Sequence, residues 1–149
     1  MTLHREIETP EQMRALGAQL GALVQPGDLI LLNGPLGAGK TVFVQGLAES
    51  LGITDVTSPT FVISRIHPGR IPLIHVDVYR LLEAGSAAAY LDDLDLDTPA
   101  EESVTVIEWG GDESARLNDS RLEIDIDRTS DTRVVRFTPH GVRWQGFSL

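Results

Sequence analysis

The sequence lacks cysteine and has no long apolar run. Without cysteine the chain can form neither disulfides nor cysteine–zinc sites. No segment approaches the roughly 18–20 apolar residues that a membrane span requires. Met1–Pro10 is not a basic start followed by an apolar block, so we predict no secretory signal. We therefore expect a cytoplasmic protein that does not act at a membrane.

Basic residues are also scarce, with 12 Lys and Arg against 22 Asp and Glu and a net charge of −10. Proteins that bind nucleic acid directly present a basic face, because phosphate contacts supply most of their affinity. We therefore expect no independent nucleic-acid binding, and any connection to RNA would run through a partner protein.

The first third of the chain has the pattern of two strand–helix units. We predict, in order, strand Leu3–Glu8, helix Pro10–Val24, strand Asp28–Asn33 and helix Lys40–Leu51. Thr9 is the predicted N-cap of the first helix, with Pro10 at its first position and Gln12 as capping-box partner. The run Leu29–Leu32 is typical of a strand buried on both faces. Gly52 is the expected stop of the second helix.

The rest of the chain is richer in strand patterns. We predict strands Phe61–Ile66 and Ile71–Tyr79 around a turn at His67–Arg70, a short helix Ser86–Leu94, a strand Val104–Ile107, and an antiparallel ribbon of Arg121–Asp127 with Val134–Phe137. The predicted fold is a single α/β domain of P-loop NTPase type over residues 1–149. Its central sheet is mostly parallel, flanked by helices, with antiparallel hairpin additions.

Gly34–Thr41 fits the phosphate-loop pattern G-x-x-x-x-G-K-[ST] at every fixed position. Glycines let the backbone wrap closely and turn its N–H groups toward a phosphate. Lys40 would reach the β- and γ-phosphates of ATP, and the Thr41 hydroxyl would ligate Mg²⁺, aided by the helix dipole. The predicted nucleotide-binding residues here are Gly34, Leu36, Gly37, Ala38, Gly39, Lys40, Thr41 and Val42.

Two acidic residues at strand ends are candidate partners of this loop. Our hypothesis is that Glu108 holds Mg²⁺, directly or through water, and that Asp77 positions the attacking water or completes the metal shell. With Lys40, these are the predicted catalytic residues. The alternatives are a solvated strand end for Glu108 and a turn or salt-bridge residue near Arg80 for Asp77. His75, on the same strand face as Asp77, is more typical of a structural residue.

Three further features have two interpretations each. Ser58 and Thr60 are either γ-phosphate sensors in a switch segment or part of a plain Ser-Pro turn. Trp109 packs either near the nucleotide or in the core. The acidic run Asp92–Asp97 is a solvated loop or a dock for a basic partner. The chain has no Asn-Lys-x-Asp element of guanine-specific switches, which favours ATP over GTP.

Together these motifs closely resemble the bacterial TsaE family, formerly YjeE. The resemblance rests on the order and spacing of four segments and on overall length: Gly34–Thr41, Ser58–Phe61, His75–Leu81 and Ile107–Trp109. It spans roughly Glu6 to Arg136. Gly141–Leu149 has no counterpart that we can assign, and residues 140–149 are interpreted as a loose C-terminal tail.

The resemblance implies a small cytoplasmic ATPase that serves biosynthesis of N6-threonylcarbamoyladenosine in tRNA. Such proteins bind the TsaB–TsaD heterodimer, support its turnover by ATP hydrolysis, and meet tRNA only indirectly. By the same resemblance, Lys40 would bind phosphates, Thr41 and Glu108 would hold Mg²⁺, Ser58–Thr60 would be the switch, and Asp77 would be needed for hydrolysis. The sequence does not define the oligomeric state, and we expect a monomer in isolation.

Two other functions remain open for a chain with this loop. A small-molecule kinase would use the same phosphate grip, but such enzymes usually carry an arginine-bearing lid, and the Arg residues here are scattered. A non-hydrolytic adaptor would bind ATP tightly and act only as a nucleotide-dependent clamp on its partners.

Overall fold

The computed structural model describes residues 3–34, 39–53, 64–67, 71–77, 102–108, 120–128 and 131–149. Within these ranges the chain forms seven strands, two α-helices and one 3₁₀ turn. They are β1 Leu3–Ile7, α1 Pro10–Gly21, β2 Leu29–Asn33, α2 Lys40–Ser50, β3 Ser64–His67, β4 Leu73–Asp77, β5 Val104–Glu108, β6 Arg121–Asp127, β7 Arg133–His140 and the turn Val142–Trp144.

The seven strands form one mixed sheet in the order β1-β7-β6-β2-β5-β4-β3. The inner strands β6, β2, β5 and β4 are parallel to their neighbours in that row. The pairs β3–β4, β6–β7 and β1–β7 are antiparallel. The predicted single α/β domain is thus confirmed, with its antiparallel additions at the two sides of a parallel centre.

The strand predictions were right in kind and differ in detail. His67 was assigned to a turn, but it pairs with Leu73 inside the β3–β4 hairpin. The ribbon of β6 and β7 is antiparallel and half-exposed as expected. However, β6 also pairs with β2, with Leu32 opposite Ile124. It therefore belongs to the parallel centre of the sheet. The predicted helix Ser86–Leu94 lies outside the described residues.

Strand β2 is the centre of the sheet because its residues are apolar on both faces. Leu29, Ile30, Leu31 and Leu32 are all at most 5% exposed. Ile30 and Leu32 belong to the main hydrophobic core, which also contains α1 and α2 residues such as Leu20 and Leu47. Both described helices therefore pack on the same sheet face, the one to which Ile30 and Leu32 point.

Helix α1 begins with the predicted N-cap Thr9, but the Gln12 side chain bonds to the residue before the cap and not to Thr9 itself. The Thr9 hydroxyl accepts the Gln12 N–H at 3.1 Å, and the Gln12 side chain accepts the Glu8 N–H at 2.7 Å. The helix ends at Gly21 and not at the predicted Val24. The Leu23 N–H bonds to the carbonyl of Leu20, three residues back, at 2.9 Å, so the last turn tightens before the chain leaves the helix.

Glycines allow α1 and α2 to approach at backbone distance. A Cβ atom built on Gly17 of α1 would overlap the carbonyl oxygen of Phe43, and one on Gly46 of α2 would overlap that of Arg14. At the solvent edge of this contact Arg14 forms an ion pair with Glu49. The hydrogen bond from Arg14 lowers the pKa of the Glu49 carboxyl. The helix pair is therefore one close-packed unit.

The prediction of a loose tail at residues 140–149 is wrong. Trp144 is 2% exposed and Phe147 is 8% exposed, and the Phe147 ring lies 5.7 Å from both Trp144 and Phe137. Arg143 binds the buried carboxylate of Asp28 with two contacts of 2.9 Å, Nε to Oδ1 and Nη2 to Oδ2. Aromatic burial and this ion pair hold the segment against the start of β2.

No helix in the part of the chain that the structure describes is long and apolar enough to cross a membrane.

We predict that Gly17→Ala lowers the free energy of unfolding by about 1–3 kcal/mol, because the added methyl group must push α1 away from the Phe43 carbonyl. Alanine would otherwise favour a helix by about 1 kcal/mol over glycine. Ala15 is exposed on the same helix, so Ala15→Gly is the control, expected to destabilise through propensity alone. Denaturant unfolding measures both. A Gly17→Ala variant as stable as the parent would contradict the close helix contact.

The pair Asp28–Arg143 can be tested by a double-mutant cycle. Arg143→Met keeps the aliphatic stem but leaves a buried carboxylate without its cation, so we expect a loss of about 2–3 kcal/mol. Adding Asp28→Asn should recover part of that loss, which additive behaviour would not give. Val142→Ala, at a neighbouring residue that is 80% exposed, should change stability by less than about 0.5 kcal/mol. Thermal or denaturant unfolding is the measurement.

Candidate functional site

The candidate site begins where β2 ends and α2 starts. Strand β2 ends at Asn33, and Gly34 follows it half-buried. Gly39 precedes α2 with φ of +105°, a left-handed conformation that glycine adopts without strain. A side chain there would also press on Met13, since a Cβ would lie 3.3 Å from its Cε. The predicted strand and helix on either side of the loop are therefore present.

The start of α2 is suited to an anion. Gly39 has no side chain, and no side chain caps the helix. Lys40 is the first helical residue and is only 8% exposed, and the half-buried Thr41 follows it. The N–H groups of a helix's first turn have no partner within the helix, and the helix dipole places partial positive charge there. This end of α2 can therefore bind a phosphate.

Glu108 lies at the carboxyl end of β5, the strand next to β2. The register sets it opposite Leu32 of β2 on one side and Asp77 of β4 on the other. Glu108 is 4% exposed, which rules out the alternative of a solvated strand end. Leu32, Glu108 and Asp77 therefore form a row across three adjacent parallel strands. This row lies at the carboxyl ends of the strands, where α/β proteins bind their ligands.

His75, interpreted from the sequence as a structural residue, lies on the strand next to Glu108. It lies two residues before Asp77 on β4 and is fully buried. Its Nε2 lies 3.4 Å from Oε1 of Glu108. Over the described ranges, neither ring nitrogen of His75 nor Oε1 of Glu108 has a hydrogen-bond partner. The alternation of polar residues along β4 was the available signal, but only the register with β5 brings His75 to Glu108.

The oxygen atoms of this site fit a magnesium ion. Mg²⁺ prefers carboxylate, hydroxyl, phosphate and water oxygens, and the Glu108 side chain, which is buried, supplies carboxylate oxygens that a cation would satisfy. Among the described residues, no group of three or more His, Cys, Asp or Glu side chains could hold a metal. A magnesium site completed by phosphate and water needs only one or two protein ligands.

The remaining predicted site residues are only partly covered by the structure. Val42 lies in the first turn of α2 and packs against the core. The other residues proposed for nucleotide contact or switching lie outside the described residues: Leu36, Gly37, Ala38, Ser58, Thr60 and Trp109. The acidic run Asp92–Asp97 also lies outside them. Their roles stay predictions.

Comparison with known proteins assigns the family. The model of the family described as threonylcarbamoyl adenosine biosynthesis protein TsaE matches residues 7–135. The chain belongs to the TsaE family. A curated TsaE from Streptomyces coelicolor is 45% identical over 141 residues, covering 89% of this chain and 93% of the relative. A Bacillus subtilis TsaE is 40% identical over 140 residues, covering 91% of this chain and 85% of the relative. The recognition made from the motifs is thus confirmed.

A solved structure agrees with this assignment at the level of the fold. The crystal structure of Bacillus subtilis YdiB matches with a TM-score of 0.81 and 35% sequence identity. The match covers 97% of this chain and 90% of YdiB. This coverage reaches beyond the residues matched by the TsaE family model, which end at residue 135.

Proposed function

We propose that this TsaE-family chain is a magnesium-dependent ATPase that serves threonylcarbamoyladenosine biosynthesis in tRNA. The observations that carry the proposal are a buried lysine at the start of a helix and a buried carboxylate at the end of a strand next to β2. Lys40 opens the uncapped helix α2, and Glu108 ends the parallel strand next to β2. Family membership supports the pathway, since the curated relatives are named for tRNA threonylcarbamoyladenosine biosynthesis.

The composition of the chain supports a special role for Lys40, which is its only lysine. The other 11 of the 12 Lys and Arg residues are arginine. A lysine ammonium is a compact point charge on a flexible stem, which suits close contact with phosphate oxygens inside a narrow loop. Because the side chain is 8% exposed, its charge would act in a medium of lower dielectric constant than water and so more strongly.

In the proposed site, Gly34–Thr41 binds the phosphates of ATP, with Lys40 on the β- and γ-phosphates. Thr41 and Glu108 would hold Mg²⁺, which would neutralise negative charge on the phosphate oxygens. Asp77, on β4, would orient the attacking water. Strand β4 is one strand farther from β2 than β5, which carries Glu108. Neighbouring strands are about 4.8 Å apart, so the metal and the water could be served by adjacent carboxylates.

We further propose that this ATPase acts on partner proteins and does not bind RNA directly. The partners would be homologues of TsaD and TsaB. The net charge of −10 argues against direct binding of tRNA. Ser58 and Thr60 would report the γ-phosphate, and Trp109 would lie near the nucleotide. The proposed protein is cytoplasmic and monomeric when isolated.

The proposed contact between Lys40 and the phosphates of ATP is tested with Lys40→Ala. Loss of the single ammonium should weaken ATP binding at least about 30-fold, or roughly 2 kcal/mol, with the fold retained. Calorimetry with ATP and Mg²⁺ is the measurement. Thr41→Ala is the companion variant, expected to retain nucleotide binding in EDTA and to lose the gain that Mg²⁺ provides. Unchanged ATP affinity in Lys40→Ala would refute the proposed site.

The wild-type protein offers an independent check, because Lys40 is its only side-chain amine. Bound ATP should protect Lys40 from an amine-reactive reagent, while the N-terminal amine reacts as before and serves as the internal control. Peptide mass spectrometry measures both modifications. Equal labelling of Lys40 with and without saturating ATP would count against a lysine–phosphate contact.

Hydrolysis is tested with Asp77→Asn and Glu108→Gln. Both should bind ATP but hydrolyse it about 100-fold more slowly or worse, because each removes a charge that serves the reaction. Phosphate release is measured with and without a TsaB–TsaD pair, followed by tRNA modification in the reconstituted system. Normal modification by both variants would show that hydrolysis is not the contribution of this chain, as expected for an adaptor.

A further inference from the structure

The proposed function leaves the contact between His75 and Glu108 unused. His75 is fully buried, its Nε2 lies 3.4 Å from Glu108 Oε1, and in the described part of the chain neither ring nitrogen has a hydrogen-bond partner. A buried polar group without a partner lowers the stability of the fold. A leucine at this position would fill a similar volume without that cost. Packing therefore does not explain why an imidazole is present.

The sheet register explains which group the imidazole serves. His75 is paired with Val106 on β5, and Glu108 follows two residues later on the same face of that strand. Diagonal neighbours of this kind lie within reach of a long side chain. Asp77 stands directly opposite Glu108. On β4, Asp77 is therefore paired with Glu108 itself, and His75 is paired with the residue two positions before it.

We propose that His75 is a positioning residue for the metal-binding carboxylate. In the nucleotide complex its Nε2–H would donate a hydrogen bond to Oε1 of Glu108. This bond would fix the carboxylate and leave its other oxygen for Mg²⁺. The inference rests on the proposed function, because it assigns a role within that same site. It requires only the neutral imidazole with its proton on Nε2.

The distance is consistent with a contact that tightens when the site is filled. Hydrogen bonds from a nitrogen to a carboxylate are usually about 2.7–2.9 Å long, and those of active sites are often longer before the ligand binds. Groups that orient a metal ligand typically change metal affinity or activity about 10–100-fold when they are removed. This range sets the size of the effect to look for.

The test compares His75→Leu with His75→Gln, since a glutamine amide can donate from nearly the same position as Nε2. The control is Thr105→Val. Like His75, Thr105 is buried, but its hydroxyl lies on the face of β5 opposite to that of Glu108. Binding of ADP is measured by calorimetry over a Mg²⁺ series and in EDTA, and Mn²⁺ binding to the ADP complex is followed by electron paramagnetic resonance. Thermal unfolding establishes that each variant is folded.

We expect His75→Leu to weaken metal binding to the ADP complex about 10–100-fold, with ADP affinity in EDTA unchanged. His75→Gln should recover most of the loss, and Thr105→Val should match the parent. Parental metal affinity in folded His75→Leu overturns the role of His75 alone. If the parent itself shows no Mg²⁺-dependent nucleotide binding, the proposed function fails, and this inference fails with it.

A measurement on the parent protein keeps the inference testable even if His75→Leu does not fold. Ring ¹⁵N shifts of the four histidines are assigned with single variants at His4, His67 and His140. The His75 ring should carry its proton on Nε2, and the Nε2 signal should shift when Mg²⁺ is added to the ADP complex. A His75 ring protonated only on Nδ1 would overturn the proposal.

Discussion

Strand β2 is hydrogen-bonded to a parallel neighbour on each side, β5 and β6, and its side chains are buried on both faces. Four consecutive apolar residues have no other low-energy environment, because any edge position would leave one face or one backbone edge in water. The position of this strand determines the site. The residues after it must emerge at the carboxyl edge of the sheet, where Glu108 ends the adjacent strand.

The two ends of β2 are held by different means. At its start, the buried Asp28 carboxylate is bound by Arg143 from the C-terminal segment. At its end, α2 returns across the sheet and is held against α1 through the glycine contacts at Gly17 and Gly46. The proposed phosphate-binding loop would need fixed anchors on both sides. Here the strand before it and the helix after it are both rigidly packed.

The sequence predicted what local patterns determine and missed what depends on distant pairing. The Thr9 cap, the buried strand β2 and the glycine before Lys40 follow from neighbouring residues, and all appear in the structure. The bond from Arg143 to Asp28 joins residues 115 positions apart, and no periodicity signals it. The approach of His75 to Glu108 likewise needs the β4–β5 register, because alternation gives a strand's faces but not its alignment with a neighbour.

The polar groups buried at the carboxyl edge of the sheet support the proposal that this part of the fold binds a ligand. A core optimised for stability alone would hold apolar side chains where His75 and Glu108 lie, since replacing buried ionisable groups by well-packed apolar residues is often neutral or stabilising. The same holds for Lys40, which is 8% exposed. Departures from the rules of stable packing are expected at functional sites. Here a carboxylate and an imidazole depart together at the carboxyl end of neighbouring strands, with His75 Nε2 3.4 Å from Glu108 Oε1. The proposed metal site would give both buried groups a function.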